Sequence, residues 1–276
     1  MLMNILIPVA ILSVLGFVLA LVLGYSADKF KVEKNPKIDE LLFVLPGVNC
    51  GACGYAGCEN YAVNIANSGA PLTLCAVGGP PVAEKIGDIM GVKVSTVDVM
   101  VAYVKCNGDC NKSKDKYEYH GLMDCVSASA LPGGGAKSCS YGCLGLGTCV
   151  KVCDFDAIVI KDGIAIIDEN KCTSCGACIK ACPKNIIESV PINSRVRVAC
   201  NSYDSARDAM QNCEVGCIAC KKCENTCQFD AIHVNNNLAK IDYAKCTQCN
   251  ACVEVCPKVT IENILMINKA KRDKTA

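Results

Sequence analysis

The chain has 276 residues, of which 25 are cysteine, two are histidine and none is tryptophan, and its formal net charge is +1. Its length and its odd cysteine count argue against a small disulfide scaffold, because such scaffolds are short secreted chains with paired cysteines. The formal charge counts every cysteine as neutral, so cysteines that bind metal as thiolates would make the loaded chain acidic.

The first predicted element is a membrane-spanning helix. Residues 5–25, ILIPVAILSVLGFVLALVLGY, carry no charge and are long enough to cross a bilayer. Lys29 and Lys31 follow while no charged side chain precedes, which predicts that the C-terminal bulk lies in the cytoplasm. A cleaved signal peptide is the weaker alternative, because the segment lacks a basic start and has a longer apolar run. We expect an anchor over 1–27, a linker over 28–35, and a single-pass protein of the inner or cytoplasmic membrane.

Residues 36–100 are expected to form a small unit around four cysteines. They stand in LPGVNCGACGYAGC and in CAVGG, with the spacing C-x2-C-x4-C-x16-C. Three of them lie in a Gly-rich loop, where small residues let backbone amides approach sulfur atoms. Val82, Ile86 and Ile89 recur at helical spacing and predict a helix that packs over this loop. The predicted ligands are Cys50, Cys53, Cys58 and Cys75.

The C-terminal half is an internal repeat. Residues 139–183 align without a gap on 213–257, and each copy ends in a C-x2-C-x2-C-x3-C-P run. Between the two cysteine runs of each copy, apolar alternation surrounds a turn, at 162–163 in the first copy and at 235–237 in the second, which predicts a β-hairpin. Cysteine loop, hairpin and cysteine loop is the plan of a small two-cluster ferredoxin domain.

These elements predict the fold class and the order of domains. We expect an α+β chain with one N-terminal transmembrane helix, a small α-rich Fe–S domain and two tandem bacterial-type ferredoxin modules of two [4Fe-4S] clusters each. The modules are expected over 138–190 and 212–265. The other segments are a cysteine-containing connector over 101–137, a linker over 191–211 and a basic tail over 266–276.

The spacing of the cysteine runs favours iron and sulfide. Four thiolates within about a dozen residues suit a compact inorganic core, whereas structural zinc sites use cysteine pairs at longer intervals. In a two-cluster ferredoxin the first three cysteines of a run hold one cube and the fourth reaches the other. This predicts one trailing cluster per module, held by Cys153, Cys172, Cys175 and Cys178 in the first module and by Cys227, Cys246, Cys249 and Cys252 in the second.

The leading cluster of each module is less regular. In the first module Leu146 stands at the second ligand position, and Cys139 is the obvious substitute. The expected ligands there are Cys139, Cys143, Cys149 and Cys182. In the second module the run is complete, and the expected ligands are Cys217, Cys220, Cys223 and Cys256. Cys213, the equivalent of Cys139, competes with Cys220, and spacing alone favours Cys220.

Five clusters leave five cysteines unassigned. They are Cys106, Cys110, Cys125, Cys200 and Cys213. The first three could supply ligands to a sixth cluster, with Cys200 or Cys213 as the fourth, and the alternative is ordinary buried or surface thiols. Five cubes, each about −2 with its thiolates, would take the chain to roughly −9, which argues against nucleic acid as a partner.

Cubes held by four cysteines have no open coordination site, so they serve one-electron transfer. Five cubes in one chain make a relay. The sequence offers no nucleophile paired with a base and no flavin or nicotinamide fingerprint. We therefore predict no catalytic residue and no cofactor beyond the clusters.

The order of these features resembles the B subunit of the Rnf complex, the ion-translocating ferredoxin:NAD oxidoreductase. The likeness rests on the anchor ending in LGYSADKF, on LPGVNCGACGYAGC with CAVGG, and on the ferredoxin runs, and it covers essentially the whole chain in the long form with two modules. It implies one [4Fe-4S] cluster on the four cysteines of residues 36–100. Leu146, Asp154 and Gln228 depart from the plain ferredoxin pattern and bear on the leading clusters.

The resemblance also implies partners. The subunit would accept electrons from soluble reduced ferredoxin, contact lipid through one helix, and pass electrons to other membrane and peripheral subunits that carry flavins, reduce NAD and move Na⁺ or H⁺. It would be part of a translocase-type oxidoreductase, although this chain alone is an electron carrier. The alternatives are an electron-input subunit of a hydrogenase or formate-linked membrane complex, a zinc-bearing or disulfide-bonded structural protein, and a corrinoid-handling enzyme.

Overall fold

The computed structural model describes residues 2–29, 35–94 and 98–265, and in the first range it describes side chains only for 13–26 and 29. Helices and short antiparallel strands in these ranges surround three separate hydrophobic cores. One core belongs to the small N-terminal unit and one to each copy of the internal repeat. The predicted α+β class is confirmed.

The first helix, α1, spans Leu2–Lys29 and includes the predicted anchor. Its described apolar side chains are largely exposed, with Phe17 at 66% and Leu23 at 69%. Within the ranges that the structure describes, no helix combines the length and the apolar character needed to cross a membrane. The structure therefore does not support the predicted spanning segment. The basic tail over 266–276 lies outside the described residues.

Three helices form the N-terminal unit: α2 (Pro36–Val44), α3 (Cys58–Ser68) and α4 (Gly79–Met90). Helix α2 packs against both α3 and α4. Leu41, Ile65 and Ile86, one from each helix, are fully buried. This packing confirms the predicted helix around Ile86, and it places the cysteine loops at the ends of α3 and α4.

The first ferredoxin-type module contains two pairs of strands. The hairpin of β2 (Ile158–Lys161) and β3 (Ile164–Ile167) is the predicted one. Asp162 and Gly163 in its turn have φ of 49° and 74°, as a type I′ turn requires. The second pair joins β1 (Met100–Val104) to β4 (Ile187–Pro191).

The second module repeats this topology. Strands β6 (Ile232–Asn235) and β7 (Leu238–Ile241) form the predicted hairpin, and β5 (Val196–Val198) pairs with β8 (Ile261–Asn263). Strand β1 lies in the predicted connector and β5 in the predicted linker. Each module therefore begins with a strand upstream of the segment expected from its cysteine runs.

Short helices complete both modules. Four of them follow cysteine loops: α6 (Thr148–Lys151), α7 (Ala177–Ala181), α9 (Lys222–Thr226) and α10 (Ala251–Glu254). The other two, α5 (Cys125–Ser129) and α8 (Ala206–Asn212), lie on segments inserted between the first strand and the first cysteine loop of each module. These inserted segments carry the cysteines for which the ferredoxin plan has no place.

The contact between the modules is organised around Arg197, which is 1% exposed on β5. Its Nη1 donates to Glu169 Oε1 of the first module at 2.6 Å, and its Nε donates to the carbonyl of Ser194 at 2.8 Å. The guanidinium lies 5.0 Å from the ring centroid of Tyr103 on β1. The Tyr103 hydroxyl in turn donates to Glu262 Oε1 on β8 at 3.1 Å. Residues of both modules therefore share one buried polar network.

Candidate metal centres

The structure brings together four of the predicted ligand sets, and each set lines a hollow of about 330 to 360 Å³, including its solvent-open part. These are the set of the N-terminal unit, both trailing sets and the leading set of the second module. In that leading set Cys220 lines the hollow with Cys217, Cys223 and Cys256, whereas Cys213 does not. The geometry thus favours Cys220, as spacing does.

The cysteine loops of the modules share an unusual backbone. Each loop has two residues with positive φ at equivalent positions, namely Gly145 and Gly147, Ser174 and Gly176, Ala219 and Lys221, and Gln248 and Asn250. Alternation of left- and right-handed backbone turns successive amides toward one concavity, which attracts negative charge. Five of the eight residues are not glycine, so the loops hold this conformation despite its steric cost.

Backbone amides already donate to cysteine sulfur atoms at these hollows. The donor and acceptor pairs are Gly78 with Cys75, Ala102 with Cys172, Ala231 with Cys227, and Thr260 with Cys256, at 3.3 to 3.4 Å. Such bonds stabilise the charge of a thiolate-bound iron–sulfur cluster and tune its potential. Four cysteine ligands around a hollow, with backbone amides that donate to their sulfur atoms, fit the requirements of a [4Fe-4S] cluster.

Thiol ionisation gives a second test of the fit. Burial, with smaller contributions from neighbouring cysteine charges, raises the pKa of Cys223 to about 12 and that of Cys178 to about 11. Four buried thiolates without a cation would repel one another, so these sites suit a strongly cationic core. In the described parts of the chain, no three Cys, His, Asp or Glu side chains are placed to hold a single metal ion. Thiolates around a four-iron cube lie further apart than those around one ion.

In the N-terminal unit, Tyr61 fixes the loop that carries the last cysteine. Its ring is 1% exposed, its hydroxyl donates to the carbonyl of Pro71 at 2.7 Å, and it accepts from the amide of Leu74 at 3.2 Å. Burial raises the pKa of Tyr61 to about 12, so it stays a neutral donor. Because Leu74 directly precedes Cys75, helix α3 positions that distant cysteine beside the other three.

The leading site of the first module has an unexpected fourth cysteine. The amide of Cys125 donates to Thr148 Oγ1 at 2.7 Å, and that hydroxyl donates to Asp124 Oδ1 at 2.7 Å. This docks α5 onto the start of α6, directly beside Cys149. Burial raises the pKa of Cys149 to about 12, with smaller upward contributions from the charges of Cys143, Cys125, Cys182 and Cys178, the last of which belongs to the trailing set. Cys125 therefore begins a helix that is hydrogen-bonded to the residue next to Cys149, in the module whose leading run lacks a cysteine at position 146.

Cys139, the substitute expected from sequence, lies elsewhere. It lines a larger hollow of about 460 Å³, again including solvent-open space, together with Cys106, Cys200 and Cys213. We call this set the junction site. Burial raises the pKa of Cys213, and the charges of Cys106 and Cys139 raise it further. Cys110, predicted as an extra ligand, is exposed and absent from this lining.

The junction site has two equivalent halves, one from each module. Cys106 follows β1 just as Cys200 follows β5, and Cys139 and Cys213 open the two aligned segments. The hydrogen bonds repeat as well. The Cys143 amide donates to Cys106 Sγ and the Cys217 amide donates to Cys200 Sγ, both at 3.4 Å. Each leading site is therefore hydrogen-bonded to the junction site in the same way.

Sequence reasoning left Cys106, Cys200 and Cys213 unassigned because they were not needed by any run, and it gave Cys139 to the first leading site. A signal was nevertheless present. Extending the repeat upstream to its first strands would have shown that Cys106 and Cys200 follow equivalent apolar segments. The inserted segments differ in length, which hides the equivalence from a gapless alignment.

Comparison with protein families agrees with three of these regions. A model for an Fe-S cluster matches residues 45–77, a 4Fe-4S binding domain matches 165–188, and a 4Fe-4S dicluster domain matches 216–261. Ferredoxin-type iron–sulfur domains are therefore present, as predicted. The junction cysteines Cys106, Cys139, Cys200 and Cys213 all lie outside the matched ranges.

Comparison with known proteins extends over nearly the whole chain. It is 46% identical to the B subunit of the Na(+)-translocating ferredoxin:NAD(+) oxidoreductase complex of Acetobacterium woodii, over 93% of this chain and 77% of that protein. It is 44% identical to the B subunit of the ion-translocating oxidoreductase complex of Methanosarcina acetivorans, over 92% and 96%. It is 41% identical to the B subunit of the proton-translocating ferredoxin:NAD(+) oxidoreductase complex of Clostridium ljungdahlii, over 92% and 91%.

Proposed function

The chain belongs to the family of B subunits of Rnf-type ion-translocating oxidoreductase complexes, and we propose that it accepts electrons from reduced ferredoxin and relays them to the other subunits. It is an iron–sulfur electron-transfer subunit of a ferredoxin:NAD oxidoreductase that couples electron flow to the movement of Na⁺ or H⁺. The observation that carries the proposed path is the series of four-cysteine sites through both modules. [4Fe-4S] clusters supply one-electron transfer when bound.

Six clusters are proposed, one more than the number expected from the cysteine runs. Four sets remain as predicted: the N-terminal set, both trailing sets and the leading set of the second module. The revised sets are Cys125, Cys143, Cys149 and Cys182 for the first leading site, and Cys106, Cys139, Cys200 and Cys213 for the junction site. Cys110 alone among the 25 cysteines then has no iron to bind.

The arrangement of ligands supports an order for the relay in the two modules. Within each module the last cysteine of one run serves the other site, so Cys153 and Cys182 tie the trailing and leading sites together. Between modules, the amides of Cys143 and Cys217 reach the junction sulfurs. The proposed order is trailing, leading, junction, leading and trailing. The duplication thereby lengthens the path without a gap at the module boundary.

Anaerobic purification of the full chain tests this function. We expect about 24 iron and about 24 acid-labile sulfide atoms per chain, with interacting [4Fe-4S] EPR signals after dithionite reduction. Reduced ferredoxin is expected to reduce the same clusters. About 20 of each atom would remove the junction cluster from the proposal, and zinc in folded protein never exposed to oxygen would overturn the electron-transfer function.

Alanine variants of Cys213 and Cys220 test the ligand assignment in the second module. If the two cysteines serve different sites, each single variant loses about four iron atoms and the double variant loses about eight. If they compete for one site, the double variant loses no more iron than the single variant that loses the most. Iron analysis of the three anaerobically purified variants decides between these outcomes.

We also propose that α1 attaches the chain to the membrane, with the modules on the cytoplasmic side. Support comes from the charge-free sequence of residues 5–25 and from the lysines that follow it. An arginine in the middle of such a helix costs about 3 kcal/mol on insertion. We therefore expect Leu15→Arg to release the isolated subunit from membranes washed with carbonate, whereas Leu122→Arg, at an exposed position of the connector, leaves it bound. Equal retention of both variants would contradict the proposal.

A further inference from the structure

One lysine breaks the equivalence of the two halves of the junction site. Lys137 is 7% exposed and lines the same hollow as the four junction cysteines. Two residues before Cys213, where Lys137 stands two residues before Cys139, the second module has Gln211, which is exposed on α8. Lys105 lines the same hollow, but its ammonium is paired with Glu188 Oε2 at 2.9 Å, whereas the hydrogen bonds of the Lys137 ammonium go to backbone carbonyls.

The ammonium of Lys137 is held in place by neutral groups. It donates to the carbonyl of Gly108 at 2.6 Å and to that of Gly163 at 3.2 Å. Gly108 is itself close to the sulfur atoms, since a Cβ on it would lie 3.1 Å from Cys213 Sγ and 3.8 Å from Cys106 Sγ. Carbonyl dipoles orient the ammonium without cancelling its charge, so burying it here needs a nearby anion.

The groups of the hollow that can carry negative charge are the four junction cysteines and the carboxylate of Asp204. The charge of Lys137 lowers the pKa of Cys213, at the junction site, and that of Cys143, at the first leading site, against the larger upward effect of burial in each case. A fixed cation favours the more negative state of any redox group beside it. For an iron–sulfur cluster the more negative state is the reduced one.

We propose that Lys137 is the counter-charge of the junction cluster and raises its reduction potential above the value that its four cysteines alone would set. This inference rests on the proposed six-cluster relay. The junction cluster then holds an electron more readily than it would without the lysine. The residue acts through charge and position and binds no iron itself.

The test is an EPR-monitored redox titration of the full-length, anaerobically purified protein. The junction signal is identified as the one missing from Cys139→Ala. In Lys137→Gln, which copies the residue of the second module, we expect the equilibrium constant for reduction of the junction cluster to fall at least tenfold. This lowers the reduction potential of that cluster by about 59 mV for a one-electron couple. Lys137→Arg, which keeps the charge, and Lys161→Gln, which removes an exposed lysine of β2, are expected to titrate like the unmodified protein.

Iron content separates the outcomes. Full iron in Lys137→Gln with an unshifted junction potential would overturn the role of Lys137 and leave the relay intact. About 20 iron atoms in the unmodified protein would instead remove the junction cluster, and the inference with it. If Lys137→Gln loses iron, the result for Lys137→Arg decides. Full iron and an unchanged junction potential in Lys137→Arg support the proposed role of the positive charge, and a lowered junction potential in that variant contradicts it.

Discussion

Replacing Arg197 with methionine is expected to destabilise the docking of the two modules by about 3 kcal/mol, the low end of what the loss of one partner from a buried ion pair costs. The low end applies because the Glu169 side chain keeps 29% of its surface exposed and regains water when Arg197 is lost. The variant also loses the bond to Ser194 and the contact with the Tyr103 ring. Methionine keeps much of the apolar volume, so the change reports mainly on the polar network.

Cluster proteins do not unfold by a simple two-state equilibrium, so the rate of cluster loss is the useful measurement. Loss of cluster absorbance in guanidinium under anaerobic conditions is expected to be about a hundredfold faster in Arg197→Met, if the network forms late in folding. Glu169→Gln keeps a hydrogen-bond acceptor for Arg197 and serves as the milder comparison. Equal rates in Arg197→Met and the unmodified protein would show that the network does not hold the modules together.

Replacing Cys125 with alanine is expected to remove the leading cluster of the first module, with a loss of about four iron atoms and of electron passage from the trailing cluster to the junction. The reason is that position 146 carries no cysteine and that Cys125 is the proposed fourth ligand, held next to Cys149 by its bond to Thr148. The measurement is iron content together with the rate at which reduced ferredoxin reduces the clusters beyond the gap.

Cys110→Ala is the matched control, because Cys110 lies on the same inserted segment and is exposed. It is expected to keep full iron and full rate. The informative double variant combines Cys125→Ala with Cys143→Ala. If both residues bind the same cluster, the double variant loses about four iron atoms, whereas ligands of two different clusters would cost about eight. A loss of about eight iron atoms would show that Cys125 and Cys143 bind different clusters, and Cys139 would then be the fourth ligand of the leading site.

The trailing sites could be predicted from sequence because three of their ligands stand in one run and the fourth follows from the ferredoxin plan. The same holds for the hairpins, where the Asp162-Gly163 turn and the flanking apolar alternation define both strands. Local chemistry determines these features, so a short window of sequence is enough. The choice of Cys220 over Cys213 rests on the same local spacing, and Cys220 lines the hollow of its run.

The junction site and the role of Cys125 could not be predicted in this way. Cys106 and Cys213 belong to different modules, and they line one hollow because the two modules dock against each other. Cys125 reaches Cys149 through a hydrogen bond with Thr148, on an inserted segment without a counterpart of the same length. Contacts of this kind depend on tertiary packing, to which no spacing rule applies.

The division of the junction ligands between modules has a consequence for biosynthesis. A ribosome delivers Cys106 and Cys139 well before Cys200 and Cys213, so a nascent chain can complete the first module and load its clusters while the junction is still half built. Two thiolates cannot retain a cube that needs four. In the proposed relay the junction is therefore filled only after Cys213 has emerged and the second module has docked on the first, so its cluster is among the last to be loaded.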